Sequence, residues 1–133
     1  LTVGNHADGP YLLQKLQKEA PTQYERAREI LLKNGGNKTG EKIICVNWNG
    51  NVFPDQFWRN HSLGNILNNS LKNILKKNDP VMNKLNNKAD HKVGKCKNCK
   101  WFPYCKGNLR YIGGSTESGK WVNEPACYIK QIS

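Results

Sequence analysis

No run of about eighteen apolar residues occurs in the chain, so nothing in it reads as a membrane-spanning helix. The opening LTVGNHADGP has no basic region followed by an apolar stretch, the pattern of a secretory signal. A soluble, cytoplasmic protein is expected. Arginine is scarce, with 4 Arg against 17 Lys and 18 Asn. A nucleic-acid reader leans on the planar arginine fork, so nucleic acid ranks last among the partners considered. Acidic residues are also few, 10 against 21 basic, giving a net charge of +11. That excess suits an anionic partner, but the Lys and Asn surplus looks as much like compositional bias as selection for a ligand. No phosphate-cradling G-x-x-x-x-G-K, no H-E-x-x-H and no Ser-His-Asp set is present.

What the chain does have is cysteine in an unusual arrangement. Five is an odd number, so a disulfide framework would leave one thiol over, and metal is the better first reading. Cys45 stands alone in a strand-like run and reads as core. Cys96, Cys99, Cys105 and Cys127 crowd into the C-terminal part with spacing C-x2-C-x5-C-x21-C. A C-x2-C turn aims two thiolates at one centre, and four complete either a zinc site or a 4Fe-4S cluster. Structural zinc usually takes two short pairs, so the spacing favours the cluster, with zinc second and a redox or disulfide role third. Lys95, Lys97, Lys100, Lys106 and Arg110 around the thiols would favour the thiolate form and offset a tetrathiolate's charge. Trp101, Phe102 and Tyr104 would keep solvent out.

The remaining pattern predicts a small α+β chain. GPYLLQKLQKEA places Leu12, Leu13 and Leu16 at helical spacing, with Pro10 suited to the first turn. Pro21 starts a second helix, with Tyr24, Ala27, Ile30 and Leu31 on one face and a stop at Gly35-Gly36. KIICVNWNGNVF predicts strands over 42–48 and 51–53 about an Asn49-Gly50 hairpin turn, ended by Pro54. A short strand at 64–67 and a helix from about Ser70 follow, on which Ile66, Leu67, Leu71, Ile74 and Leu75 are spaced for one apolar face. Asp79 before Pro80 is the N-cap of a further short helix through Leu85. Beyond Asn86 the sequence is loop-like and aromatic, as where a metal centre organises the backbone.

The run C-x2-C-x5-C, then Gly107-Asn108-Leu109-Arg110 and the EPAC ending in Cys127, resembles the SPASM domain, the C-terminal auxiliary-cluster domain of many radical SAM enzymes. With CVNWNGNVFPDQFW (45–58), LGNI (63–66) and NHADG (5–9), the whole chain is similar to the NirJ group, radical SAM enzymes of d1-type heme biosynthesis, and their siroheme-pathway relatives. The resemblance implies that residues 1–41 are the end of a partial barrel with linking helices and that 42–133 form a SPASM domain. That domain would be a β-hairpin, flanking helices and a loop-rich four-cysteine region. It further implies one auxiliary 4Fe-4S cluster on Cys96, Cys99, Cys105 and Cys127, with SAM and a second 4Fe-4S cluster in an N-terminal radical SAM domain of the same polypeptide. The SAM-cluster motif C-x3-C-x2-C is absent from these residues, so a fragment inactive by itself is expected. The implied substrate is an anionic, siroheme-derived tetrapyrrole losing propionate or acetate side chains, with an electron donor or acceptor protein as a further partner. Two departures stand out. Of the first-cluster cysteines in two-cluster SPASM domains only Cys45 has a counterpart, and Lys106 replaces the glycine that commonly follows the third cysteine.

By the same resemblance His6 and Asp8 fall where a barrel strand ends, the usual place for substrate-facing groups. Arg59 and Arg110 are candidates for holding substrate carboxylates, because a planar fork suits them. Asp55 reads as a turn cap, Phe57 and Trp58 as core, and His61 and His91 as loop residues.

Overall fold

The computed structural model describes residues 5–107 and 126–129. Backbone contacts divide the chain into two compact units, one formed by 1–37 with 92–133 and the other by 38–91. The expected opening strand and Arg110 lie outside the described residues. Among those residues no helix is long and apolar enough to cross a membrane.

The first unit is built on two packed helices, α1 (Asp8–Glu19) and α2 (Pro21–Asn34). Pro10 falls in the first turn of α1, where its missing N–H costs nothing. Leu13 is wholly buried and Leu12 and Leu16 partly so. On α2 the residues turned inward are Tyr24, Ala27 and Leu31, packed on a core of Ala7, Leu13, Trp101 and Ile129. Ile30 departs from the expected face and is 59% exposed. It lies six residues beyond Tyr24, well off the stripe that Tyr24, Ala27 and Leu31 make at steps of three and four. Gly35 ends α2 in the left-handed conformation, its N–H bonded to the Leu31 carbonyl at 2.9 Å.

The second unit carries a three-stranded antiparallel sheet, β1 (Cys45–Val46), β2 (Asn51–Phe53) and β3 (Gly64–Asn65), in that order. Cys45 pairs with Phe53, and Val52 with both Val46 and Gly64. The first strand is shorter than expected, and the hairpin differs from a two-residue turn. Such a type I′ turn needs positive φ at both central residues, whereas of Asn49 and Gly50 only Gly50 has it, at 79°. The loop is therefore Trp48-Asn49-Gly50, closed by the Asn47 and Asn51 backbones and by the Asn47 carboxamide, whose oxygen accepts from the Asn49 and Asn51 amides. Val52, Leu63 and Ile74 form the core beneath the sheet.

Helices α3 (Leu71–Lys76) and α4 (Pro80–Asn86) follow. Ser70 caps α3, and Asp79 caps α4 by accepting from the Val81 and Met82 amides at 2.9 Å each. Of the expected apolar face only Ile74 is buried; Leu67 is 79% exposed. The helix is too short to carry the full stripe, since Ile66 and Leu67 precede its first turn. Lys88, 2% exposed, pairs with Glu41 at 3.0 Å and donates to the Thr39 and Leu85 carbonyls.

Candidate metal centre

In the first unit four short pieces of backbone bring the thiols together. Cys96 ends a 3-10 turn (Gly94–Cys96), Cys99 lies in the turn that follows, and Cys105 ends the four-residue helix α5 (Phe102–Cys105). Cys127 belongs to the described segment 126–129. Cys96, Cys99, Cys105 and Cys127 all line one pocket of about 450 Å³, counting the space it shares with solvent. Its other walls include Trp101, Phe102, Ile129 and Lys95. All four cysteines are free of disulfides. Among the described residues, no three His, Cys, Asp or Glu side chains stand close enough to hold one metal ion between them.

Local hydrogen bonds fix this arrangement. The Cys99 amide donates to the Cys96 carbonyl at 3.4 Å, and the Phe102 amide to the Cys99 carbonyl at 3.1 Å, so each thiol starts the turn that places the next group. The Gly107 amide donates to the Cys105 sulfur at 3.4 Å. The end of α2 holds Cys105 from behind: the Asn37 amide donates to the Cys105 carbonyl at 3.0 Å, and the Asn37 carboxamide to the Gly107 carbonyl at 2.8 Å. Gly36, with φ 66°, packs so closely that a Cβ would stand 2.5 Å from the Cys105 carbonyl carbon. The sequence marked Gly35-Gly36 as a helix stop and missed this second use. The visible signal was the pair itself, because one glycine suffices to end a helix.

Lys106 takes a left-handed conformation, φ 55°, the one such non-glycine residue among those described. The departure from the usual Cys-Gly therefore leaves the turn in a shape that glycine adopts freely and lysine at a cost.

Burial pushes the Cys105 thiol up to about 12. The Gly107 N–H works against this, and the three neighbouring thiols add to it. Four thiolates in an apolar pocket need a positive centre, and the donor set fits one: four soft sulfurs, apolar walls and a lysine at the rim. One buried polar atom of a residue lining the pocket also stays unmatched, the Trp101 indole Nε1, which has no acceptor among the described residues.

The other predicted site residues are dispersed. Asp8 begins α1 and accepts a hydrogen bond from the Tyr128 hydroxyl, while its neighbours Ala7 and Pro10 line the thiol pocket. His6 is half-buried in the turn before α1. In the second unit Arg59 is exposed, donates from Nε to the Gln56 carbonyl at 3.3 Å, and lines a separate pocket of about 730 Å³ with Cys45, Trp48 and Gln56. Cys45 is half-buried at that pocket, whereas the sequence placed it in the core. Asp55 caps its turn as expected, accepting from the Phe57 and Trp58 amides. Trp58 is buried, but Phe57 is 39% exposed. His61 contacts Asp79 at 3.0 Å.

Comparison with known proteins shows what the chain is similar to. Residues 38–100 match the SPASM iron-sulfur cluster-binding domain. The SPASM match contains Cys45, Cys96 and Cys99, and Cys105 and Cys127 lie beyond its end. The chain is 40% identical over 133 residues to the Fe-coproporphyrin III synthase of Methanosarcina barkeri, covering 97% of this chain and 33% of that protein. It is 27% identical over 130 residues to the pre-heme d1 synthase of Dinoroseobacter shibae, covering 97% of this chain and 32% of that one. The chain thus spans about a third of the length of either relative. No solved structure matches it.

Proposed function

We propose that Cys96, Cys99, Cys105 and Cys127 hold one auxiliary 4Fe-4S cluster, and that the chain is the C-terminal part of a radical SAM enzyme that removes side chains from an anionic tetrapyrrole. The observation that carries this reading is the convergence of four cysteines, none in a disulfide, on one pocket in a chain that matches an iron-sulfur cluster-binding domain. The sequence spacing adds support, since structural zinc usually takes two short cysteine pairs and here the third and fourth cysteines follow after five and twenty-one residues. A structural zinc module without redox role is the alternative.

When bound, the cluster supplies one-electron chemistry. The chain's own residues do the rest. The thiolates set its position, and Trp101, Phe102 and Ile129 exclude water. The Gly107 amide favours the charged form of the Cys105 sulfur. Lys100 places its ammonium 5.2 Å from the Trp101 ring centre and Lys92 stands 5.3 Å from that of Phe102, which adds positive charge to two aromatic walls. SAM, its own 4Fe-4S cluster and the reacting carbon belong to a preceding radical SAM domain, with a separate protein exchanging electrons.

The substrate class rests on the two relatives, whose names specify Fe-coproporphyrin III and pre-heme d1 as what they make. Arg59 in its pocket beside the 88%-exposed Trp48 suits a flat, carboxylate-bearing molecule, the guanidinium meeting a carboxylate and the indole a ring face. Arg110, His6 and Asp8 complete the proposed substrate-facing set.

Anaerobic reconstitution with iron and sulfide, metal analysis and EPR of the reduced sample test the cluster. Wild type is expected to show about four irons and a 4Fe-4S signal that Cys99→Ser changes or loses. Identical signals in the two proteins refute the assignment, and a colourless protein that carries one zinc and takes up no iron favours the alternative.

A further inference from the structure

We propose that the Trp101 indole N–H donates a hydrogen bond to a sulfur of the cluster held by the four thiols and thereby raises its reduction potential. The inference rests on the cluster reading above and goes beyond it, since it assigns a role to a residue that is not a ligand.

An indole N–H is a donor and nothing else, and buried donors in folded proteins nearly always meet an acceptor. Trp101 is 5% exposed, yet its Nε1 finds no partner among the described residues. The same side chain lines the thiol pocket with all four cysteines. Its neighbours leave it little freedom. The ring belongs to the core with Leu13 and Ile129, stands 5.9 Å from Tyr104 in a tilted contact, and has the Lys100 ammonium near its face. A hydrophobic wall alone does not require the nitrogen, as Phe102 in the same pocket illustrates. The chemistry that answers an unmatched donor here is sulfur carrying negative charge. One sulfur already receives an N–H, that of Gly107 on Cys105. Each hydrogen bond to a cluster sulfur withdraws electron density and favours the reduced, more negative state, so the potential rises.

Trp58 provides an internal control. It is 4% exposed and its Nε1 is likewise unmatched, but it belongs to the 38–91 unit and is not among the residues lining the thiol pocket.

The test uses protein reconstituted with iron and sulfide and labelled with indole-15N tryptophan. Pulsed EPR of the reduced wild type is expected to show a 15N coupling to the cluster. That coupling is lost in Trp101→Phe, whose midpoint potential in a redox titration falls below wild type, whereas Trp58→Phe keeps both wild-type values. Absence of the 15N coupling in the wild type overturns the proposal, whether or not the Trp101 variant assembles a cluster. A Trp101→Phe potential equal to wild type, or an equal fall in Trp58→Phe, overturns it as well. If wild type takes up no iron-sulfur cluster, the ligand assignment fails first, whereas a cluster-bearing protein with unmoved signals refutes only the hydrogen bond.

Discussion

Gly36→Ala tests whether the end of α2 positions the third thiol. A methyl group at this site would meet the Cys105 carbonyl carbon at 2.5 Å, its oxygen at 2.6 Å and the Tyr104 oxygen at 2.7 Å. All three are backbone atoms, so no side-chain rotation relieves the clash. A left-handed φ costs a non-glycine residue about 1–2 kcal/mol, and forced overpacking typically costs about 1–3 kcal/mol. The sum, about 2–5 kcal/mol, is a large part of a small domain's stability of about 5–15 kcal/mol. With a urea slope of about 2 kcal/mol per molar, the unfolding midpoint falls by about 1–2.5 M. The displaced backbone is that of Cys105, so cluster content falls along with stability. Gly36→Asn separates the two causes, because Asn tolerates the left-handed region but carries the same Cβ. It is expected to fail nearly as badly as Ala. The reasoning is refuted if Gly36→Ala unfolds within 0.5 M of wild type, a limit of about 1 kcal/mol at that slope, and binds iron at wild-type stoichiometry.

Lys106→Gly should act in the opposite direction. It relieves φ 55° and stabilises by up to about 1 kcal/mol, read as a higher urea midpoint, after the larger unfolded-state entropy of glycine is deducted. Lys88→Ala removes the 3.0 Å partner of Glu41, which keeps Lys38 at 4.0 Å, and the donor to two buried carbonyls; a loss of about 1–3 kcal/mol in urea unfolding is expected. Asp79→Ala removes the cap of α4 and the His61 contact and should cost about 1–2 kcal/mol, with faster amide exchange at Val81 and Met82.

The elements that the sequence made legible are those set by local chemistry. Pro21 and the glycine after Asn34 bound α2, Ser70 and Asp79 cap their helices, and Asp55 caps its turn. Each signal acts within about four residues, so pattern alone suffices. The hairpin was legible as a hairpin, but its loop was not. Register depends on Val52 facing Leu63 and Ile74, a long-range packing choice that the Asn-Gly dipeptide does not encode. Leu67 misled for a related reason, since helical spacing shows which residues share a face only after the helix ends are known, whereas Ile30 lies within α2 but off the stripe that packs on the core. At the candidate centre the spacing identified four thiols, and the structure adds that all four line one pocket. The supports at Gly36 and Asn37 lie about seventy residues from the cysteine they hold, and nothing local to either segment announces the contact.

The lysines around the thiols can now be weighed individually instead of as a net charge of +11. Lys15 pairs with Glu19 along one exposed helix face at 3.7 Å, an arrangement that contributes little and asks for no ligand. Lys95 lines the thiol pocket, and Lys92 and Lys100 lie over the rings of Phe102 and Trp101 that wall it. Positive charge near the sulfurs lowers the cost of deprotonating four thiols in apolar surroundings, the cost already visible in the raised Cys105 thiol. The bias toward lysine is thus global, but its value is local. Among the chain's many lysines, Lys92 and Lys100 place their ammonium groups over the two aromatic rings that wall the pocket, where positive charge suits the proposed anionic centre.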